Sequence, residues 1–222
     1  MIVRHNPKKQ LIHQLHAIYP YGSDACICKA IEGVYDRVIA RLEICFSHVN
    51  NKYYHDDDGV IFNPLHVSQW TMFLYTMAHE LIKNGNTDIC DMIYGLNKMV
   101  SSADIFYGVE MPEIWFFGHP QGSVMGKGKY SNFFTFSQGC TVGNNKGNFP
   151  VIGKHVTMMS NSKVLGKSHI GNHVIFAANS YVIDTDIPSY SIVFGTAPNN
   201  IIKQITPEKF NEYTGSMFSG DD

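Results

Sequence analysis

Residues 152–182 read IGKHVTMMSNSKVLGKSHIGNHVIFAANSYV, and a large apolar residue stands at every sixth position of this stretch. These positions are Ile152, Met158, Val164, Ile170, Phe176 and Val182. Four residues after each of the first five comes a small or β-branched residue: Val156, Ser162, Ser168, Val174 and Ser180. An α-helix repeats near 3.6 residues and a β-strand at 2, so neither explains a period of six. The period predicts a left-handed parallel β-helix, in which short strands form flat faces and three hexads close one triangular coil.

The six-residue register extends upstream through four further positions, Val124, Tyr130, Phe136 and Val142. Val142 and Ile152 are ten residues apart, so four extra residues are inserted within the polar stretch 143–149. We expect this stretch to leave the coil as a loop, and loops on a rigid scaffold often carry function. Pro188 is expected to end the coil.

The first hundred residues show helical spacing instead. Apolar residues recur at intervals of three and four in the segments 11–18, 27–45, 70–81 and 89–99. Ser23 and Asp24 are predicted to cap the first long helix. The fold class is therefore α+β, with an N-terminal helical domain over residues 1–103, a left-handed β-helix domain over 104–203 and a C-terminal tail over 204–222.

The composition narrows the class of protein. Hydrophobic residues make up 44% of the 222 residues and charged residues 16%, which is typical of a globular protein. A net charge of −2 favours neither nucleic acid nor an anionic membrane as a partner. No apolar run reaches the roughly 18 residues of a membrane span, and the N-terminus lacks the layout of a signal peptide.

The cysteines predict the compartment. They are five in number and form no CxxC pair: Cys26, Cys28, Cys45, Cys90 and Cys140. This pattern argues against a disulfide framework and against a zinc site, and it favours the reducing cytoplasm.

A triangular coil exposes flat faces, which a single chain leaves uncovered. Association about a threefold axis is the expected remedy, so we predict a homotrimer with sites between neighbouring subunits. Whether two trimers pair through the helical part stays open.

His119 is the strongest candidate for chemistry. It lies in the break between the helical part and the regular coils, with Gly118 before it and Gly122 three residues later. Asp104 precedes His119 by fifteen residues, close to the eighteen of one coil. The spacing leaves two interpretations open: a general base with an orienting carboxylate, or a histidine that caps the coil.

Two further histidines follow the coil repeat, and a third lies close to them in the sequence. His155 and His173 are eighteen residues apart and are expected to stack, and His169 is nearby. Such histidines meeting across subunits are one way to bind zinc. Polar residues at a subunit contact are the other interpretation.

The helical N-terminal part, the hexapeptide coils and the His-x-x-Gly segment 119–122 resemble the serine acetyltransferases over most of residues 60–203. In that family an aspartate and a histidine fifteen residues apart form the catalytic pair. The resemblance therefore implies that His119 is the general base and Asp104 its orienting partner. It also implies that acetyl-CoA is the co-substrate and binds along the coils, in a groove between subunits. It implies no metal. The implied cofactor contacts are Ser160, Lys163, Lys167, Ala177, Ala178, Gly195 and Lys203.

Two departures from the family's pattern concern the acceptor. Gly118 stands where the family has an aspartate directly before the histidine, and Asn148 and Phe149 stand where it has Arg-His. Those family residues hold the ammonium and carboxylate of the amino acid, and only Lys146 remains in the loop. A buried carboxylate without a cation is costly, so an acceptor other than serine is expected. Gly118, Lys146, Asn148 and Phe149 are the candidate acceptor contacts.

The segments 130–134, 138–143 and 186–189 look more like a branch of hexapeptide transferases associated with surface-polysaccharide synthesis. The leading hypothesis is therefore an acetyl-CoA-dependent O- or N-acetyltransferase for a sugar or nucleotide-linked sugar. Trp115, Phe116 and Phe117 suit either stacking on a sugar ring or core packing. Serine O-acetylation in cysteine biosynthesis is the alternative, and a zinc lyase or a non-catalytic trimeric scaffold is the third possibility.

Overall fold

The computed structural model describes residues 1–20, 24–215 and 217–220. The chain forms two compact units, Met1–Gly108 and Val109–Asp222, whereas the sequence predicted a boundary after residue 103. The predicted cap residue Ser23 and the side chain of Asp24 lie outside the described part of the chain.

Unit 1 is mainly helical. Its elements are β1 (Ile2–Val3), α1 (Pro7–Ile18), α2 (Asp24–Ser47), β2 (His55–Asp56), β3 (Gly59–Phe62), α3 (Val67–Ile82), α4 (Thr87–Ser101) and β4 (Asp104–Ile105). The helical periodicity is confirmed, because every apolar position that defined α2 is buried: Ile27, Ile31, Val34, Val38, Leu42 and Cys45. Helix α3 is buried from Ser68 to Leu81 and packs against α2 and α4. The small sheet β1–β3–β2 was not predicted, since strands of two to four residues are too short to show a period.

Unit 2 is a parallel β-solenoid. Its elements are β5 (Trp115–Phe117), β6 (Val124–Met125), β7 (Lys129–Tyr130), β8 (Phe134–Phe136), β9 (Thr141–Gly143), β10 (Val151–Ile152), β11 (Thr157–Met158), β12 (Lys163–Leu165), β13 (His169–Ile170), β14 (Val174–Phe176), β15 (Tyr181–Ile183), β16 (Ser191–Phe194), β17 (Ile201–Gln204) and α5 (Pro207–Thr214).

Three parallel sheets form the sides of the solenoid. Face 1 contains β7, β10 and β13. Face 2 contains β5, β8, β11, β14 and β16, and face 3 contains β6, β9, β12 and β15. The chain visits faces 1, 2 and 3 in turn, over about five turns. The predicted β-helix is therefore confirmed.

The hexad positions form the core of the solenoid. The six large residues from Ile152 to Val182 are each at most 4% exposed, and the five small residues that follow them are fully buried. Val151 pairs with His169, eighteen residues on, whereas Lys129 pairs with Val151, twenty-two residues on. The four-residue insertion in this one coil is therefore present as predicted.

Two details of the predicted register are wrong. Val124 is 39% exposed, and its neighbour Met125 points inward at 1% exposure. The cause is a coil shortened by one residue, since Val124 pairs with Thr141, seventeen residues on. The coil also continues past Pro188 into β16, which pairs with β14. Pro188 precedes that strand, where its missing N–H removes no ladder hydrogen bond.

The corners of the solenoid require left-handed backbone. Between faces 1 and 2, φ lies between 55° and 66° at four residues that are stacked above one another: Phe133, His155, His173 and Tyr190. Successive ring centroids are 4.4, 4.6 and 4.5 Å apart, and the rings are nearly parallel. The predicted stacking of His155 on His173 is therefore confirmed. Between faces 2 and 3 the positive-φ residues are Gly122, Gly139, Asn161, Asn179 and Gly195.

The C-terminal tail predicted over residues 204–222 contains a short helix, α5, which is exposed except at Phe210 and Thr214. Strand β17 pairs antiparallel with β16, and α5 follows it. Phe210 of α5 is 5% exposed and packs against Ile175 and Ile192, which point outward from face 2. The C-terminal helix therefore covers face 2 at Ile175 and Ile192.

Gly139 tests the corner geometry. Its φ is +68°, and a Cβ at this position would lie 2.1 Å from Oδ1 of Asn161. We expect Gly139→Ala to lower the free energy of unfolding by more than the roughly 1–2 kcal/mol that left-handed backbone costs an L-residue. Urea denaturation measures the change.

Gly147→Ala is the matched control, because Gly147 has φ +82° with nothing within 4 Å of a Cβ. It should lose only the backbone contribution. Equal losses of unfolding free energy in the two variants would show that the contact with Asn161 does not destabilise the Gly139 variant.

Candidate active site

Asp104 lies in β4 of unit 1, where both of its carboxylate oxygens accept hydrogen bonds. The Tyr94 hydroxyl donates to Oδ1 at 2.5 Å, and the Lys98 ammonium donates to Oδ2 at 2.8 Å. Partial burial acts to raise the pKa of Asp104, but the hydrogen bonds from Lys98 and Tyr94 outweigh it and hold this pKa below its ordinary value. The carboxylate is therefore ionised at neutral pH and is oriented by two donors from α4.

His119 lies in unit 2, at the corner that joins β5 of face 2 to β6 of face 3. Its side chain is exposed. Backbone hydrogen bonds fix the turn around it: the Ser123 N–H donates to the Pro120 carbonyl at 3.0 Å, and the Gly139 N–H donates to the Gln121 carbonyl at 2.9 Å. An accessible imidazole on a rigid turn suits a general base. Its pairing with Asp104 stays a prediction.

Gly118 precedes the histidine and is exposed. No heavy atom lies within 4 Å of the position that a Cβ would take here, and the φ of Gly118 is not in the left-handed region. A side chain is therefore sterically possible where the resembling family has its aspartate.

The predicted loop at 143–149 is a tight hairpin at the corner between faces 3 and 1. Asn145 and Asn148 exchange two backbone hydrogen bonds of 3.0 and 2.9 Å. Between them φ is 50° at Lys146 and 82° at Gly147, as in the type I′ turn of a two-residue hairpin. The Asn145 amide also donates to Asp184 at 2.6 Å. Phe149 follows the hairpin and is 37% exposed.

The two groups of predicted site residues lie at different corners of unit 2. Gly118 and His119 are at the corner between faces 2 and 3, whereas Lys146, Asn148 and Phe149 are at the corner between faces 3 and 1. Face 3 separates them within one chain. A site that uses both corners therefore requires a neighbouring subunit.

The candidate cofactor residues are divided between these places. Ser160, Ala177, Ala178 and Gly195 share the corner column of His119, and Lys163 extends from the adjoining face 3. Lys167 lies at the far corner of that face, and Lys203 lies on β17. A cavity of about 500 Å³ adjoins the turn after Gly195, lined by Tyr181, Ile183, Thr185, Ala197, Pro198, Asn200 and Ile202. The sequence did not single out this cavity, because its walls come from different coils.

The other histidines of the coil are engaged separately. His155 and His173 belong to the ring column, whereas the His169 ring on face 1 donates through Nδ1 to Asp186 at 2.7 Å. That hydrogen bond is the main reason why the pKa of Asp186 lies below its ordinary value. Within the described ranges, no group of three or more His, Cys, Asp or Glu side chains is placed to hold a metal ion.

The aromatic run before His119 is largely core. Trp115 is 2% exposed and Phe117 is fully buried, while Phe116 is half-buried. Trp115 and Phe117 are therefore not available to stack on a sugar ring, and core packing is the correct interpretation for both.

N-terminal helices followed along the chain by a hexapeptide-repeat solenoid are the fold of known serine acetyltransferase structures. The enzyme from Neisseria gonorrhoeae superposes with a TM-score of 0.72 over 94% of this chain and 84% of that chain, at 16% identity. A serine acetyltransferase in complex with CoA gives a TM-score of 0.69 over 89% and 83%, at 18% identity. At these identities the likeness establishes the fold.

Sequence similarity points to the same proteins. The serine acetyltransferase of Staphylococcus epidermidis is 33% identical over 135 residues, which are 59% of this chain and 62% of that protein. The chain thus spans about three-fifths of the curated relatives it matches. No protein-family model matches the sequence. These relatives give no support to the predicted sugar acceptor or to a role in polysaccharide synthesis.

No described helix is both long and apolar enough to cross a membrane.

The hydrogen bonds of Asp104 predict its titration. We expect its pKa to lie below the ordinary value of an aspartate and to rise in Lys98→Met, because that variant loses the donor that favours the ionised carboxylate. Carbon-13 NMR of the carboxyl group follows the midpoint directly. The exposed Lys29, replaced by Met, is the control and should leave the midpoint in place. An identical midpoint in Lys98→Met would contradict the assignment.

Proposed function

We propose that this chain is an acetyl-CoA-dependent serine O-acetyltransferase. The observation that carries the proposal is the agreement between the 33% identity to a serine acetyltransferase over 135 residues and the exposed His119 on a solenoid corner. The likeness of segments 130–134, 138–143 and 186–189 to polysaccharide-associated transferases suggests a sugar acceptor, which serine replaces in this proposal for this reason.

The chemistry is a direct acyl transfer. His119 removes the proton from the serine hydroxyl, and the serine oxygen attacks the carbonyl carbon of the thioester. A tetrahedral oxyanion forms, and backbone N–H groups of the coil stabilise its charge. The C–S bond then breaks, the sulfur of CoA leaves, and it takes the proton from the His119 imidazolium. Asp104, held ionised by Tyr94 and Lys98, orients the imidazole and stabilises its charged form.

A homotrimer completes the site in this proposal. Threefold packing of triangular solenoids places the His119 corner of one subunit against the hairpin corner of the next. α5 covers face 2 at Ile175 and Ile192, so faces 1 and 3 are the proposed contacts with neighbours. Acetyl-CoA then lies along the corner of Ser160, Ala178 and Gly195, where the backbone supplies donors and the nearby Lys163 supplies a cation for phosphate.

His119→Ala tests the role of the base. We expect turnover of serine and acetyl-CoA to fall by about 10²–10⁴-fold, measured as free thiol released, with the subunit assembly unchanged by light scattering. The exposed His13, replaced by Ala, is the matched control and should retain full activity. A His119→Ala enzyme with near-normal turnover would refute the role.

The same assay tests the acceptor. Wild-type protein is incubated with acetyl-CoA and L-serine, and in parallel with a panel of sugars and nucleotide-linked sugars. Thiol release with serine alone is the expected result. Release with a sugar but not with serine would overturn the proposal.

Gly118→Asp tests whether an aspartate before His119, as in the resembling family, binds the ammonium of the acceptor. The position has room for a side chain, and a carboxylate beside His119 attracts the serine ammonium. We expect the KM for serine to fall severalfold, with the KM for acetyl-CoA unchanged. Gly118→Asn, of equal size and without charge, should give no such gain. An equal gain in both variants would assign the effect to shape.

A further inference from the structure

The hairpin alone does not supply a held cation for an amino-acid carboxylate. Lys146 stands at the tip of the turn with φ 50°, and Asn145 uses its amide on Asp184. The nearby acidic groups are also engaged, since Asp184 accepts from the Lys167 N–H at 2.7 Å and Asp186 accepts from His169. A cation that a neighbouring side chain holds in place is found in another part of this corner.

Lys127 lies one coil below Phe149. The two residues are twenty-two positions apart, the length of this coil as seen in the pairing of Lys129 with Val151. The Lys127 ammonium lies 5.1 Å from the centroid of the Phe149 ring, where the electron-rich face of the ring attracts it. Phe149 thereby restricts the position of a side chain that is otherwise long and flexible.

The backbone on both sides of this contact is fixed. The Lys129 N–H donates to the Pro150 carbonyl at 3.0 Å, and a Cβ on Gly128 would lie 3.1 Å from that same oxygen. Lys127 and Phe149 are therefore held together by the residues that follow each of them.

The Lys127 ammonium is open to a ligand. Both Lys127 and Phe149 are exposed, and among the residues that the structure describes Lys127 takes part in no ion pair. An ammonium has three donors, so one over the ring still leaves others for an anion.

We propose that Lys127 binds the carboxylate of the amino-acid acceptor. The Phe149 ring holds the Lys127 ammonium in place for this contact. The inference rests on the proposed function, and it identifies a specificity-determining residue for that reaction. It also explains how the hairpin works without the arginine and histidine of the resembling family: the cation comes from the neighbouring coil instead of from the loop.

The test compares two acceptors that differ only in the carboxylate. L-serine and L-serinamide are assayed with acetyl-CoA on wild type and Lys127→Met. We expect the KM for L-serine to rise by about tenfold or more, as for loss of a charge-assisted hydrogen bond. The kcat/KM for L-serinamide and the KM for acetyl-CoA should stay within about twofold of wild type, since neither depends on the carboxylate. Lys127→Arg should retain most of the serine affinity, because a guanidinium also pairs with a carboxylate and stacks on a ring.

Lys154→Met is the matched control, since Lys154 is exposed at the corner between faces 1 and 2, away from the hairpin. Equal losses for L-serine and L-serinamide in Lys127→Met would mean a structural role and overturn the inference. An unchanged KM for L-serine, or an increase confined to Lys146→Met, would overturn it as well. A wild-type protein that acetylates neither acceptor would instead overturn the proposed function, and this inference with it.

Discussion

The corners of the solenoid impose the constraint on which unit 2 depends. Three times per coil the chain must leave one face and enter the next, and positive-φ residues recur at these corners. Left-handed backbone costs an L-residue roughly 1–2 kcal/mol, and most of these positions hold glycine, asparagine or a stacked ring. Lys146 and Asp184, at the corner between faces 3 and 1, are the other side chains that adopt it. In the column from Phe133 to Tyr190 the rings stack at about 4.5 Å, and such pairs contribute about 0.5–1.5 kcal/mol each. The inward hexads, the flat faces and the placement of His119 on a corner all follow once these turns are made.

This dependence explains which parts of the fold the sequence predicts. Every full coil repeats the same turn, so Ile152 and its successors at six-residue spacing all point inward. The prediction fails at Val124 because one coil has seventeen residues, and a missing residue at a corner changes which neighbour points inward. The packing of Phe210 on Ile175 and Ile192 could not be predicted either. Outward apolar residues show only that a face is covered, and the covering helix lies far along the chain.

The candidate site divides in the same way. Residue type, spacing and flanking glycine are enough to single out His119 from the amino-acid sequence. The donors that keep Asp104 ionised come from α4, at residues Tyr94 and Lys98, and their convergence depends on how the end of that helix meets β4. In the amino-acid sequence, Lys146 is the only cationic residue of the hairpin segment 143–149. Lys127 stands twenty-two residues before Phe149, and only the stacking of coils brings the two side chains together.

The hairpin between Asn145 and Asn148 closes on itself through its own two backbone hydrogen bonds. The coils above and below it keep their pairing, as Val151 with His169 and Lys129 with Val151 show. Insertions at this corner are thus absorbed locally, without a penalty that spreads into the sheets. The length and side chains of this hairpin can therefore change without disturbing the pairing of the coils above and below it. A solenoid with such a corner is a modular enzyme framework, in which one short segment can be exchanged while the rest of the molecule stays constant.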